Sequence, residues 1–211
     1  MTTAEPLPED PAIGGSSVLH FEATRRRLSS RQAEVVAKLV RAAEMETEEV
    51  GYGGLTVRGV ARRAGVAPAT AYTYFSSKDH LLAEVLWRRM ESLPTAEADL
   101  SIPVADRVAR TVQDMIPFAA ESTALIDACT VALISPSPDV SHLRDRIGAQ
   151  THRRLTAALG PGVDPRVVRV LEAAYRGALV TAGTGHMAFL DVPAFVAEAA
   201  TLLVDGAGGA R

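Results

Sequence analysis

The sequence predicts an all-α fold: an N-terminal three-helix helix-turn-helix domain followed by a larger helical domain. Of 211 residues, 47% are hydrophobic but only 5% aromatic, and Ala, Val and Leu dominate, which suits helices packed closely through small side chains. Apolar residues recur at helical spacing between turn signals along most of the chain. Near the N-terminus, two short helical segments flank a single glycine turn.

Residues 1–28 combine Pro6, Pro8, Pro11, Gly14, Gly15, Ser16 and Ser17 with Glu5, Glu9 and Asp10, and this composition is expected to form a mobile arm. Ser29 and Ser30 offer caps, Ser29 with Gln32 at capping-box spacing, and Val36, Leu39, Val40, Ala43 and Val50 share one face of a first helix ending at Gly51. Thr56 caps a second helix that turns Val57, Val60, Ala61 and Ala64 inward, and Gly65 ends it in a left-handed conformation. Pro68 suits the first turn of a third helix running to Phe75. Ser76, Ser77 and Asp79 open a fourth, which buries Leu81, Leu82, Val85, Leu86 and Trp87 and stops before Pro94. Beyond it, helices are expected over 103–120, 122–134, 139–159, 164–189 and 192–205. The chain thus divides into an arm (1–28), a helix-turn-helix domain (29–76), a connecting helix (77–92) and a helical domain (93–211).

The formal net charge is −3, which argues against a non-specific nucleic-acid coat. Its distribution is uneven: residues 20–90 hold 12 Lys and Arg against 8 Asp and Glu, while 91–211 hold 10 against 14. A polyanion is therefore expected at the N-terminal part. One cysteine, Cys129, leaves no intramolecular disulfide, no charged-then-apolar leader is read, and no apolar run approaches the length of a membrane span. A reducing cytoplasm and no membrane partner are expected.

The third helix is built for close approach. Pro68, Ala69 and Ala71 are small enough to let the backbone near base edges, while Thr70, Tyr72, Thr73 and Tyr74 offer hydroxyls to bases or phosphates. Lys78 beyond it suits a phosphate. Periodicity alone would equally make Tyr72, Tyr74 and Phe75 core aromatics. Arg25-Arg26-Arg27 suits a minor groove or a solvated basic patch. Gly51, Gly53 and Gly54 belong to a turn, because neither a preceding strand nor a following Gly-Lys-Ser/Thr marks a phosphate loop.

Gly65-Val66, Thr70, Tyr72, Tyr74-Phe75, Ser77-Lys78-Asp79 and Leu81-Leu82, with Leu39-Val40, Ala42-Ala43, Gly51-Tyr52, Leu55-Thr56-Val57 and Val60-Ala61 upstream, resemble the signature of the tetracycline-repressor (TetR) family over about residues 31 to 90. The resemblance implies that Thr56, Arg58, Pro68, Ala69, Thr70, Tyr72, Thr73, Tyr74 and Lys78 face DNA and that Phe75 is core. Arg58 and Tyr72 would lie near bases, Arg58 being otherwise a solvated surface charge, and Thr56, Thr70, Tyr74 and Lys78 would hold phosphates. Two departures stand out. Glu46 and Thr47 occupy places usually large and apolar, leaving Met45 and Val50 to fill the space. Gly59 costs about 1 kcal/mol against Ala inside a helix and gives room for a phosphate.

Residues 95–211 carry no such motif. The resemblance implies an effector-binding and dimerisation domain in which helices 164–189 and 192–205 pair with a second copy. Ala173, Ala174, Gly177, Ala178, Ala182, Gly183 and Gly185 allow close approach there. Leu171, Tyr175, Leu179, Phe189, Phe195, Leu202 and Leu203 supply apolar area, with completion of the monomer core as the alternative. Met115, Ile116, Phe118, Ile126, Cys129, Leu133 and Tyr175 line an expected pocket for a small apolar or amphipathic effector, or else simply pack the core.

His20, His80, His142, His152 and His186 show no metal-ligand spacing, and neither a nucleophile elbow nor a Gly-rich cofactor fingerprint occurs, so no metal, cofactor or catalytic residue is expected. The leading expectation is a homodimeric repressor released from operator DNA by its effector. A DNA-binding regulator governed by a protein partner or by its own abundance comes second, and a small-molecule enzyme third.

Overall fold

The structure is a computed structural model that describes residues 30–94, 98–116 and 122–208. Its chain divides into two compact units, residues 1–36 and 37–211. Within the first, residues 30–36 form the opening turns of a helix; the arm expected over 1–28, the Ser29 cap and the Arg25–Arg27 run lie outside the described residues.

The described residues form helices and no strand. In order they are α1 (Ser30–Gly54), α2 (Val57–Arg63), α3 (Pro68–Tyr74), α4 (Lys78–Ser92), α5 (Val104–Met115), α6 (Thr123–Ile134), α7 (Pro138–Leu159), α8 (Pro165–Gly183), a 3-10 turn (Phe189–Asp191) and α9 (Val192–Gly208).

Three boundaries differ from expectation. Gly51 breaks α1 with φ 63 and ψ 180, but helical geometry resumes to Gly54, where Leu55 N–H reaches back to Gly51 O at 3.2 Å. The helix expected over 103–120 ends at Met115. The helix expected to reach 189 stops at Gly183, because Gly185 turns left-handed at φ 77 and His186 N–H closes on Thr181 O at 3.1 Å. That closure uses carbonyls a continuing helix would have occupied.

Within residues 37–211, α2 packs on α3, and α4 lies against both α6 and α7. Helix α5 packs on α7 and α9, and α8 packs on α9. Leu81, Leu82, Ala83, Val85, Leu86, Trp87 and Met90 of α4 are all buried, so this short helix is enclosed around most of its circumference. At interior packing density it cannot tilt without displacing its neighbours. Trp87 is further covered by the Arg146 guanidinium of α7, 4.0 Å from the ring centre, a contact worth about 0.5–1 kcal/mol near a surface.

Candidate nucleic-acid interface and effector cavity

The local sequence makes the α2–α3 unit by end chemistry. Thr56 takes an extended backbone and its hydroxyl accepts a hydrogen bond from Gly59 N–H at 3.0 Å, which starts α2. Gly65, at φ 66, lets Val66 N–H bond Ala61 O at 2.9 Å and ends it. Pro68 then supplies the first residue of α3.

Helix α3 divides cleanly. Pro68, Ala69, Thr70, Tyr72 and Thr73 are exposed, Tyr74 is part-exposed, and Phe75 is buried in the core as expected. Tyr72 leaves 52% of its surface in solvent, so it is no core aromatic. Ala71 corrects the reading of a small residue at the base edges: it is fully buried and faces the interior. Thr73 Oγ1 donates to Ala69 O at 3.1 Å, leaving its lone pairs as acceptors. Arg58 on α2 and Thr56 at its N-cap are exposed, and the capping Thr56 hydroxyl keeps its own proton to donate.

Lys78 is less free than expected. Its ammonium donates to Tyr52 O at 2.7 Å and sits 3.8 Å over the Tyr52 ring centre. Tyr52 OH in turn donates to Asp79 Oδ1 at 2.8 Å; burial first and then this carboxylate push its phenol up to about 12. The sequence held Tyr52 only as part of a pattern, and nothing in its spacing announced this clasp between the end of α1 and the start of α4.

The departures in α1 resolve differently from expectation. Met45 and Val50 do not fill the space, being 54% and 44% exposed. Glu46 and Thr47 are themselves buried: Thr47 Oγ1 donates to Ala43 O at 2.7 Å, and Arg63 Nε donates to Glu46 Oε2 at 2.5 Å. Arg63 also pairs with Glu49. A Cβ on Gly59 would stand 3.0 Å from Glu46 Oε1 and 3.1 Å from Thr56 Oγ1, so this glycine makes room for an ion pair and a cap inside the chain.

In the helical body, a cavity of about 460 Å³ lies among α4, α5, α6, α7 and α8. Of the expected lining, Met115, Ile116, Ile126, Leu133 and Tyr175 surround it. Phe118 lies outside the described residues. Cys129 is a correction: its thiol points to α4, 3.6 Å from Leu82 O, fully buried and pushed up by burial. It is an inert packing residue. Leu86 and Met90 of α4 also line the cavity, as do Arg144, Gly148 and Thr151 of α7.

Polar groups are few. Arg144 is spent on ending α6, donating to Leu133 O at 2.8 Å and Ser135 O at 2.5 Å. Arg176 donates to Glu172 Oε2 at 2.8 Å. Tyr175 is 6% exposed, burial pushes its phenol upward, and its hydroxyl has no hydrogen bond among the described residues. The group stays a proton donor at any physiological pH. Among the described residues no three His, Cys, Asp or Glu side chains gather where they could hold a metal ion, and no helix is long and apolar enough to cross a membrane.

An exposed, hydroxyl-rich third helix seated on a glycine-turned second one defines a helix-turn-helix DNA-binding regulator. The chain belongs to the family of bacterial regulatory proteins named for tetR, whose sequence model matches residues 39–85. It is 42% identical over 190 residues to an uncharacterized HTH-type transcriptional regulator of Mycobacterium tuberculosis (strain H37Rv), covering 89% of this chain and 88% of that one. A Mycobacterium bovis regulator matches to the same extent. In fold, the chain is similar to a TetR transcriptional regulator from Rhodococcus sp. RHA1 (TM-score 0.69, 20% identity, 82% of this chain and 96% of that one). It is also similar to the transcriptional regulator FadR from Bacillus subtilis in complex with stearoyl-CoA (TM-score 0.55, 19% identity, 81% and 98%).

Proposed function

We propose that this regulator is a cytoplasmic homodimeric repressor, released from its operator when a small apolar or amphipathic effector enters the cavity among α4 to α8. The observation that carries this reading is the double position of α4. Only three residues separate it from the end of α3, and its Leu86 and Met90 line the cavity. A ligand that fits only one arrangement of α4 biases the recognition helices, and linkage makes DNA weaken the ligand by the same factor.

The DNA reader comprises Thr56 at the α2 cap, Arg58 of α2, Pro68, Ala69, Thr70, Tyr72, Thr73 and Tyr74 of α3, and Lys78. Arg58 and Tyr72 act near bases and the hydroxyls near phosphates. Lys78 retains two ammonium donors beyond the one given to Tyr52. The Tyr175 hydroxyl, without a partner among the described residues, supports an effector with a hydrogen-bond acceptor on an apolar frame, since an apolar guest alone would leave that donor unsatisfied. The FadR neighbour, in complex with stearoyl-CoA, is in keeping with an amphipathic guest.

The dimer reading rests on surface. Val170, Ala173, Gly177 and Val180 form an exposed stripe at helical spacing on α8, and Phe195 and Leu202 are exposed on α9. Leu171, Tyr175, Ala178, Ala182 and Phe189, expected at the same interface, are instead buried within one chain. A two-fold pair would set its recognition helices on half-sites about 34 to 36 Å apart.

The test is fluorescence anisotropy against DNA flanking the protein's own gene, and then against genome-selected fragments, with random competitor at several salt concentrations. The expected result is saturable binding that survives competitor and is weakened by Tyr72→Ala. Adding metabolite fractions should then release it. Failure to prefer any fragment over random DNA would remove the reader; selective binding that no fraction releases would remove the effector.

A further inference from the structure

A second cavity, of about 310 Å³, lies between α5 and α7 and shares no lining residue with the first. We propose that it binds a small phosphate-bearing ligand. Four arginines line it, Arg107, Arg110, Arg153 and Arg154, against two acids, Asp99 and Asp114. The balance of these described lining residues is +2, in a chain whose residues 91–211 carry a net negative charge.

The arginines are not equivalent. Arg107 is consumed: its guanidinium bonds Ile102 O, Ala158 O and Leu159 O and so closes the end of α7. Arg154 reaches Leu93 O at 2.9 Å and Pro94 O at 3.2 Å, yet its Nε is buried and without an acceptor among the described residues. Arg110 acts on Asp99 only electrostatically, and Asp99 is itself committed to Ser101 N–H and Oγ, which hold its carboxyl below the usual range. Arg153 is exposed and bonds Gln150 Oε1 through one nitrogen. Among the described residues, the site thus offers the guanidinium donors of Arg110 and Arg153 and a double positive charge without a fixed acceptor.

Charge decides the ligand class. A phosphate monoester carries about −1.5 to −2 at pH 7 and three strong acceptors, which matches the local +2. A monocarboxylate would leave half of it uncompensated. Because Arg154 also ties down the end of α4, an occupied site would stiffen the connecting helix from the side opposite its recognition end.

The experiment is thermal unfolding of the full chain in inorganic phosphate against acetate, at equal ionic strength. Phosphate should raise Tm saturably where acetate does not. In the double variant Arg110→Gln, Arg153→Gln the phosphate affinity should fall by about tenfold or more, whereas Arg58→Ala, outside the cavity, should leave it unchanged. Equal responses to both anions would overturn the proposal, and so would a phosphate response that survives the double variant or disappears with Arg58→Ala.

Discussion

Ser76 Oγ donates to Asp139 Oδ2 at 2.7 Å, joining the residue just past α3 to the first turn of α7 across 63 positions of sequence. The same hydroxyl stands 3.4 Å from His80 Nδ1, and His80 meets the Phe75 ring edge-on at 5.4 Å between centres. The end of α3 is therefore fastened to the helical body by a polar link as well as through α4.

Asp139→Ala should loosen that link locally. Amide hydrogen exchange over 75–78 should speed up while that of α8 stays unchanged, and global stability should drop by about 1 kcal/mol or less, since the bond is exposed. Unchanged exchange at these amides would make the contact incidental.

His80 predicts a pH dependence. Burial pushes its imidazole below the ordinary 6.5, against the smaller opposing pull of Glu84 and Asp139. Between the depressed folded value and 6.5 the unfolded chain binds the proton and the folded chain does not. Stability from this group is therefore complete above about pH 6.5 and declines as pH falls through that window. Urea midpoints at pH 7.5 and 5 should differ less in His80→Gln than in the parent.

Thr56→Ala removes the α2 cap and should cost about 1 kcal/mol, a Tm fall of about 2–4 °C for a chain of this size. Thr56→Ser should restore it. If both variants melt alike, the hydroxyl is not capping.

Tyr175→Phe separates a ligand anchor from a structural tyrosine. With no partner for the hydroxyl among the described residues, its removal should change stability by less than about 0.5 kcal/mol or even stabilise, whereas a buried, bonded hydroxyl would cost about 1 kcal/mol. Chemical denaturation of the two proteins distinguishes these outcomes.

Lys78→Met should lower the slope of log affinity against log salt by about 0.9 if the ammonium meets one phosphate. It should also destabilise the fold modestly through loss of the Tyr52 carbonyl contact. An unaltered slope would confine Lys78 to its intramolecular role.

The N-terminal elements were legible because single residues punctuate them: Thr56, Gly65, Pro68 and Ser77 each act through backbone chemistry that needs no partner from afar. The cavity was legible only in part. Helix α6 buries Leu125, Ile126, Ala128, Cys129 and Ala132, so it is apolar on nearly every face. Periodicity cannot tell Ile126, beside the cavity, from Cys129, beside α4. Arg144 and Thr151 escaped notice because α7 alternates charges in a pattern that reads as solvated surface. Glu46 was a visible anomaly whose answer, Arg63, lies on the next helix at a separation no helical repeat encodes.

The Glu46–Arg63 pair, with Gly59 beside it, also limits how this protein can be recombined. A hybrid regulator that takes α1 from a relative with apolar residues at 46 and 49 would strand Arg63 and waste the opening at 59, and one that cuts between 76 and 139 would sever the Ser76 fastening. The N-terminal helices and the helical body are exchangeable only as matched sets, with residues 46, 49, 59 and 63 travelling together and Asp139 retained opposite Ser76.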